Sequence, residues 1–159
     1  MTVSTISPAA VRKSIVVKAP PARAFEVFTS GMGRWWPGSH NTQPSPITNV
    51  VIEPRVGGRW FSTHEDGGEA DWGRILAWEP PGRAVLGWQL NAEFQYDPDF
   101  ITEVEITFTP QEAGTLVTLE HRNLERYGEA AERVRGMIDA DGGWGGLLQL
   151  FGTEAEAAA

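Results

Sequence analysis

The segment from Asp139 to Phe151 constrains the fold more than any other part of this chain. Its Trp, Leu and Phe residues recur at helical spacing, yet four glycines stand among them. Each glycine in a helix interior costs about 1 kcal/mol relative to alanine, so the segment must gain stability elsewhere. Close packing of its backbone against a sheet, or an opening for a ligand, are the two usual reasons for such glycines.

Two helices are predicted in the last third of the chain. The first carries an apolar stripe of helical period at Tyr127, Ala131, Val134 and Ile138. Asp141 is predicted to cap the second, which begins near Gly142 or Gly143. The buried face of this second helix is predicted to consist of Trp144, Leu147, Leu148 and Phe151. Residues 154–159 are expected to fray.

The rest of the chain is predicted to be mostly strand. The clearest alternation covers residues 101–109 and 115–122, where one face is apolar and the other carries acidic residues. A short helix follows the two prolines at positions 20 and 21, and a further turn ends at Pro37. Other strands are predicted at 11–18, 47–53, 59–64, 71–78 and 84–90, with Gly- and Pro-rich turns between them. We therefore expect an antiparallel sheet with a C-terminal helix in one domain over 1–159, with a core at 11–151 and flexible termini.

Composition excludes several classes of site and partner. The chain has no cysteine, which removes disulfides, thiolate metal sites and thiol nucleophiles. The net charge of −8 argues against nucleic acid and anionic membranes as partners. Neither a signal-peptide pattern in residues 1–10 nor an apolar run of about 18 residues is found, so we expect a soluble, cytoplasmic protein. The Gly-Gly pairs lack the form of a phosphate loop, and no cofactor is predicted.

His121 is the leading candidate for chemistry. It lies on the same strand face as Val117 and Leu119, which should point toward the helix. A neutral imidazole there could orient a ligand or act as a general base. The alternatives are a core histidine that is hydrogen-bonded to a neighbour, or a histidine at a strand end that reaches water.

Other polar residues give weaker signals. Glu103, Glu105 and Glu120 resemble a set of catalytic carboxylates, but their positions indicate a solvated outer face. The remaining histidines, His40 and His64, have no metal-ligand spacing with respect to each other or to His121, so no metal site is predicted.

Tryptophan side chains are the predicted wall of a binding pocket. The seven indole rings cannot all line one cavity, but a few of them suit a flat, partly polar ligand. Trp36, Trp88 and Trp144 are selected because they come from the lid-like N-terminal segment, a strand and the last helix. The predicted ligand contacts are completed by His121, Leu148 and Phe151.

Seven segments carry a family resemblance: VRKSIVV at 11–17, PARAFEVFT at 21–29, WWP at 35–37, IEPRVGGRW at 52–60, DWGRILAWEPP at 71–81, VTLEHR at 117–122 and GW at 143–144. Together they resemble the activator of Hsp90 ATPase homologue 1-like proteins (AHSA1-like) of the START/Bet v 1-like, or SRPBCC, superfamily. The resemblance covers about residues 11–151. It implies an α+β helix-grip fold, in which a curved antiparallel sheet wraps around a C-terminal helix and leaves an apolar cavity.

The resemblance implies three functions. The leading one is non-catalytic binding of an apolar or aromatic small molecule in the cavity. The second is an enzyme of the cyclase or dehydratase type with His121 as base. The third is an Hsp90-activator-like interaction module, for which an Hsp90-type chaperone partner would be expected. A homodimer and a role in stress response are further expectations. The family supplies no shared catalytic motif that would choose among them.

Overall fold

The computed structural model describes residues 9–157, whose strands form one antiparallel sheet in the order β1-β7-β6-β5-β4-β3-β2. The seven strands are β1 (Val11–Val17), β2 (Ile47–Ile52), β3 (Arg59–His64), β4 (Glu69–Glu79), β5 (Arg83–Trp88), β6 (Thr102–Gln111) and β7 (Gly114–Arg122). All seven strands predicted from the sequence are present, with small shifts at their ends. Their order joins the N-terminal strand to the C-terminal strand of the sheet, so β1 and β2 form its two edges.

Three α-helices accompany the sheet: α1 (Pro21–Phe28), α2 (Ala131–Asp139) and α3 (Trp144–Ala157). Short 3₁₀ segments, Met32–Arg34 and Leu124–Ala130, extend α1 and precede α2. None of the helices between residues 9 and 157 is long and apolar enough to cross a membrane. The helix α3 packs against β1 and α1, inside the curve of the sheet, so the predicted helix-grip fold is confirmed.

Irregularities in the strands account for the curvature of the sheet. The register shifts once between β2 and β3, once between β3 and β4, and once between β4 and β5. Such bulges bend a strand and increase its twist. The strands β4 and β5 also approach closely at Gly73, where a Cβ atom would overlap the carbonyl oxygen of Gly87. A residue with a side chain is therefore excluded from this position.

The two faces of the sheet match the predicted alternation. The inward side chains of β6 and β7, such as Ile106 and Leu119, are fully buried. On the outer face, the Arg122 guanidinium lies 2.9 Å from the carboxylate of Glu103, and Glu120 lies 2.7 Å from Arg12. The prediction of a charged, solvent-facing outer surface is confirmed.

Two separate helices meet near Gly142 and Gly143, as the sequence predicted, but the predicted cap is wrong. The carbonyl oxygen of Gly143 accepts the first helical hydrogen bond of α3, from the Leu147 N–H at 3.1 Å, so Gly143 is the N-cap. Asp141 stands two residues earlier, and its carboxylate has no hydrogen bond to the first turn among the described residues. A tight turn, closed by the Gly143 N–H on the Ala140 carbonyl at 2.8 Å, starts α3 later than expected.

The substitution Gly143→Ala should destabilise the protein by about 1–3 kcal/mol, because the added Cβ would overlap the Ile138 carbonyl group. Gly142→Ala is the matched control. Its Cβ would meet no atom within 4 Å, so it should be neutral or stabilise by up to about 1 kcal/mol. Urea unfolding of both variants measures the difference. Equal stabilities would show that the backbone at Gly143 can move away from α2.

The C-terminal end of α3 differs from the prediction. The helix continues past Phe151 to Ala157, and Ala155 is fully buried. The Glu156 carboxylate accepts a hydrogen bond from the Lys18 N–H at 2.8 Å, which fixes the last turn to the chain after β1. The expectation of fraying from Glu154 is therefore wrong up to Ala157. Residues 1–8 and 158–159, where the remaining predictions about the termini fall, lie outside the described residues.

Candidate ligand-binding cavity

A cavity of about 430 Å³ opens between the concave face of the sheet and the connection from α2 to α3. Four indole rings line it: Trp36, Trp72, Trp88 and Trp144. Leu90, Ile138 and Leu147 add aliphatic surface. This volume lies in the usual range for small-molecule sites, and the lining is largely apolar, as in most such sites.

The four rings form a continuous aromatic wall. The centroids of Trp36 and Trp72 are 4.9 Å apart, those of Trp88 and Trp144 are 5.8 Å apart, and Trp36 lies 6.2 Å from Trp144. Behind them Trp60 is fully buried, 5.7 Å from Trp72 and 5.8 Å from Trp88. Rings packed at these distances restrict one another, so the wall is expected to keep its shape.

Trp88 is fixed from behind by a buried tyrosine. Its Nε1–H donates to the Tyr127 hydroxyl oxygen at 2.9 Å, and that hydroxyl donates to the Leu90 carbonyl oxygen at 2.8 Å. Burial raises the pKa of Tyr127 to about 12, so the phenol stays protonated at neutral pH. The Trp88 N–H is therefore satisfied within the protein.

Trp144 is fixed in the same way by His121. Its Nε1–H donates to Nδ1 of His121 at 3.1 Å, which places the imidazole proton on Nε2. The Nε2–H donates a hydrogen bond to the Thr102 hydroxyl oxygen, which lies 2.8 Å away. His121 is completely buried, and this burial lowers its pKa to about 3. The ring is thus a neutral imidazole with both nitrogens engaged.

Three of the six predicted ligand contacts line the cavity: Trp36, Trp88 and Trp144. His121 lies behind the wall, which matches the alternative of a core histidine and leaves no free lone pair for a base. Leu148 and Phe151 lie further along the same buried face of α3, beyond the lining of the cavity. Phe151 packs between Phe28 and Trp35, with ring centroids at 5.2 and 5.8 Å.

Trp72 lines the cavity but was not among the predicted ligand contacts. This residue lies at the β-bulge where Trp60 pairs with Gly73 and Phe61 pairs with Asp71, so Trp72 itself has no partner in β3. A bulge redirects side chains, and simple alternation along β4 does not predict the outcome. The following glycine was the available signal, because glycine inside a strand often marks a bulge.

The mouth of the cavity was also not predicted. His40 Nε2 lies 2.6 Å from the Gly142 carbonyl oxygen, and the Gln95 amide donates to the Thr42 carbonyl oxygen at 3.2 Å. These hydrogen bonds join the loop before β2, the loop after β5 and the connection from α2 to α3. The Trp36 Nε1–H donates to the His40 carbonyl oxygen at 2.9 Å, which ties the wall to the mouth.

The cavity carries little charge. Its described lining contains no Lys or Arg, and Glu93 is its one carboxylate. That carboxylate is largely exposed and lies 3.9 Å from the Arg133 guanidinium. Between residues 9 and 157, no cluster of three or more His, Cys, Asp or Glu side chains is arranged to hold a metal ion. The arrangement suits a neutral organic molecule.

Comparison with known proteins places this geometry in a family. Residues 18–155 match the sequence pattern of the activator of Hsp90 ATPase homologue 1-like proteins. No curated protein matches the chain. Among solved structures, the chain is similar to Txn09, an anthrahydroquino-γ-pyrone synthase in complex with a compound designated SUM. The two chains are 38% identical with a TM-score of 0.65, over 92% of this chain and 96% of Txn09.

Two other structures have the same fold. CalC, a self-sacrificing resistance protein from Micromonospora echinospora, is 32% identical with a TM-score of 0.71, over 95% of this chain and 96% of CalC. The Aha1 dimer from Colwellia psychrerythraea is 16% identical with a TM-score of 0.62, over 94% of this chain and 97% of that chain, which is a likeness of fold alone. Because the family pattern covers most of its length, the chain belongs to the activator of Hsp90 ATPase homologue 1-like family.

Proposed function

We propose that the protein binds a flat, largely apolar aromatic small molecule in the tryptophan-lined cavity. The observation that carries this proposal is the hydrogen bonding of Trp88 and Trp144. Their N–H groups are held by Tyr127 and His121 behind the wall, so they are not available to a ligand. The rings therefore offer a ligand apolar surface, which favours a planar aromatic partner.

Burial of apolar surface can supply the free energy that such binding requires. Burial of apolar surface contributes about 25 cal/mol per Å², so a ligand that hides ~250 Å² gains about 6 kcal/mol before the costs of association. Each favourable aromatic pair adds about 0.5–1.5 kcal/mol. No charged contact is needed, in keeping with a lining that lacks Lys and Arg.

One relative above 30% identity, Txn09, supports the same class of ligand. Txn09 is a synthase whose product name describes a fused aromatic ring system, and it was solved with a bound compound. We extend to this chain only the aromatic character of such a ligand. The fold supports ligand binding or cyclase-type roles, and the choice between them depends on groups near the cavity.

The alternatives from the sequence are less well supported. An enzyme with His121 as base would need a free imidazole nitrogen in the cavity, and both nitrogens of His121 are bound behind the wall. The likeness to the Aha1 dimer is one of fold and adds nothing to the interaction-module alternative. A homodimer, an Hsp90-type partner, a cytoplasmic location and a role in stress response remain predictions.

The substitution Trp36→Leu tests the proposal. With 1-naphthol and 1-hydroxyanthraquinone as probes, it should raise the Kd about tenfold, because roughly 1.4 kcal/mol of ring contact is lost. Trp78→Leu is the matched control: Trp78 is also half-buried, but it packs on Phe25 outside the cavity. Isothermal titration calorimetry of the wild type and both variants provides the measurement. The proposal fails if the wild type binds neither probe, or if the two variants weaken binding equally.

A further inference from the structure

The cavity mouth contains a histidine with a defined proton position. His40 Nε2 lies 2.6 Å from the Gly142 carbonyl oxygen, and a carbonyl can only accept, so Nε2 carries the proton. In the neutral imidazole Nδ1 therefore holds a lone pair. Nδ1 lies 3.1 Å from the Ser39 hydroxyl oxygen, which donates its hydrogen to that lone pair. A hydroxyl donor, a base and a third group that orients the base thus lie in sequence.

The His40 ring is held by contacts from two parts of the chain. Its edge meets the Trp36 ring at a centroid distance of 6.0 Å. Its backbone N–H donates to the Pro37 carbonyl oxygen at 3.1 Å, and its carbonyl oxygen accepts the Trp36 Nε1–H. The bond to Gly142 adds an anchor more than one hundred residues away in sequence. A base fixed in this way loses little freedom when a substrate reaches it.

His40 differs from the other two histidines in its surroundings. His121 is buried behind the aromatic wall, and His64 is buried outside the lining of the cavity. His40 and Ser39 line the cavity beside Trp36. A planar molecule against the tryptophan wall would therefore have a base at the open end of its site.

We propose that His40 is a general base that takes a proton from an aromatic substrate held in the cavity. This inference rests on the proposed binding function and adds a reaction to it. The substrate class is an aromatic compound with an acidic C–H or phenolic O–H group. The Nδ1 lone pair forms the new N–H bond, the electron pair of the broken bond stays on the substrate, and the Gly142 carbonyl stabilises the imidazolium through Nε2–H. The Ser39 hydroxyl occupies Nδ1 until the substrate replaces it.

The probe 5-nitrobenzisoxazole tests this step without knowledge of the natural substrate. A base removes the proton on C3, the C–H electron pair completes a nitrile, and the N–O bond breaks to leave 2-cyano-4-nitrophenolate. No oxidant or co-reactant is needed, and the proton on His40 returns to water. Phenolate release is followed by absorbance. We expect a saturable reaction in the wild type that is slower with the C3-deuterated probe.

His40→Ala should lower kcat about 100-fold, the lower part of the range for a general base, with a similar KM. His64→Gln is the control and should keep the wild-type rate, because His64 lies outside the cavity. The proposal is overturned if His40→Ala turns over like the wild type, or if His64→Gln is as slow as His40→Ala.

Binding of 1-naphthol, measured by calorimetry on the same samples, separates the two proposals. If the wild type and His40→Ala bind it equally but the wild type does not accelerate the elimination, the base is refuted and the binding function stands. If 1-naphthol does not bind the wild type, the binding function fails, and the inference about His40 fails with it.

Discussion

Lowering the pH from 7 to 4 should remove about 3 kcal/mol of folding stability through His121 alone. Burial lowers the pKa of this histidine from 6.5 to about 3. Between these values the unfolded chain binds a proton that the folded chain does not, so acid favours unfolding. Each pH unit within the window is worth about 1.4 kcal/mol. Above pH 6.5 His121 does not reduce the folding stability, and the loss accumulates as the pH falls from 6.5 toward 3.

His121→Gln is the variant that isolates this effect. Its amide can accept from Trp144 and donate to Thr102, but it does not titrate. The carboxyls of Glu105 and Asp139 also have lowered pKa values, because of hydrogen bonds from Arg83 and Lys13. Their contributions to folding stability are lost in more acidic solution. They are common to both proteins and cancel in the difference. Urea unfolding at several pH values should show a steeper dependence in the wild type, and parallel curves would contradict a neutral, buried His121.

The strands could be predicted from the sequence because their signal is local. In β6, Val104 and Ile106 alternate with Glu103 and Glu105, and period-two alternation fixes which side faces the core. Glycine and proline at the strand ends mark the turns. The curl of the sheet was predicted from the family resemblance. The order of the strands was not predicted, since no local pattern states which strands pair.

The cavity was predicted only in part, because one buried face of α3 contributes to both the cavity and the core. Trp144 and Leu147 line the cavity, whereas Leu148 and Phe151 lie further along the same face and pack in the core. All four are apolar and fully or nearly fully buried, so helical periodicity alone does not show where along the helix the cavity ends. Likewise, the strand pattern placed His121 inside the fold but did not indicate that both of its nitrogens would be hydrogen-bonded.

The mouth of the cavity could not be predicted from local patterns. His40 lies in a polar loop without periodicity, and its partner Gly142 lies in the turn between α2 and α3. Contacts between loops that are far apart in sequence depend on the finished fold. The same argument applies to Gln95 and Thr42, whose hydrogen bond closes another side of the mouth. The residues proposed here for chemistry are thus the ones that the sequence pattern described least.

The substitution Phe151→Ala should destabilise the protein by about 3–5 kcal/mol, the range for removal of a buried aromatic ring. Phe151 is fully buried between the rings of Phe28 and Trp35, where α3 meets α1. Truncation leaves a void lined by rigid rings, which collapse poorly. The neighbouring Leu150→Ala is the matched control: its side chain is 44% exposed, so the loss should stay within about 0.5 kcal/mol. Urea unfolding that gives a loss below about 1 kcal/mol for Phe151→Ala would mean that α3 is not the helix gripped by the sheet.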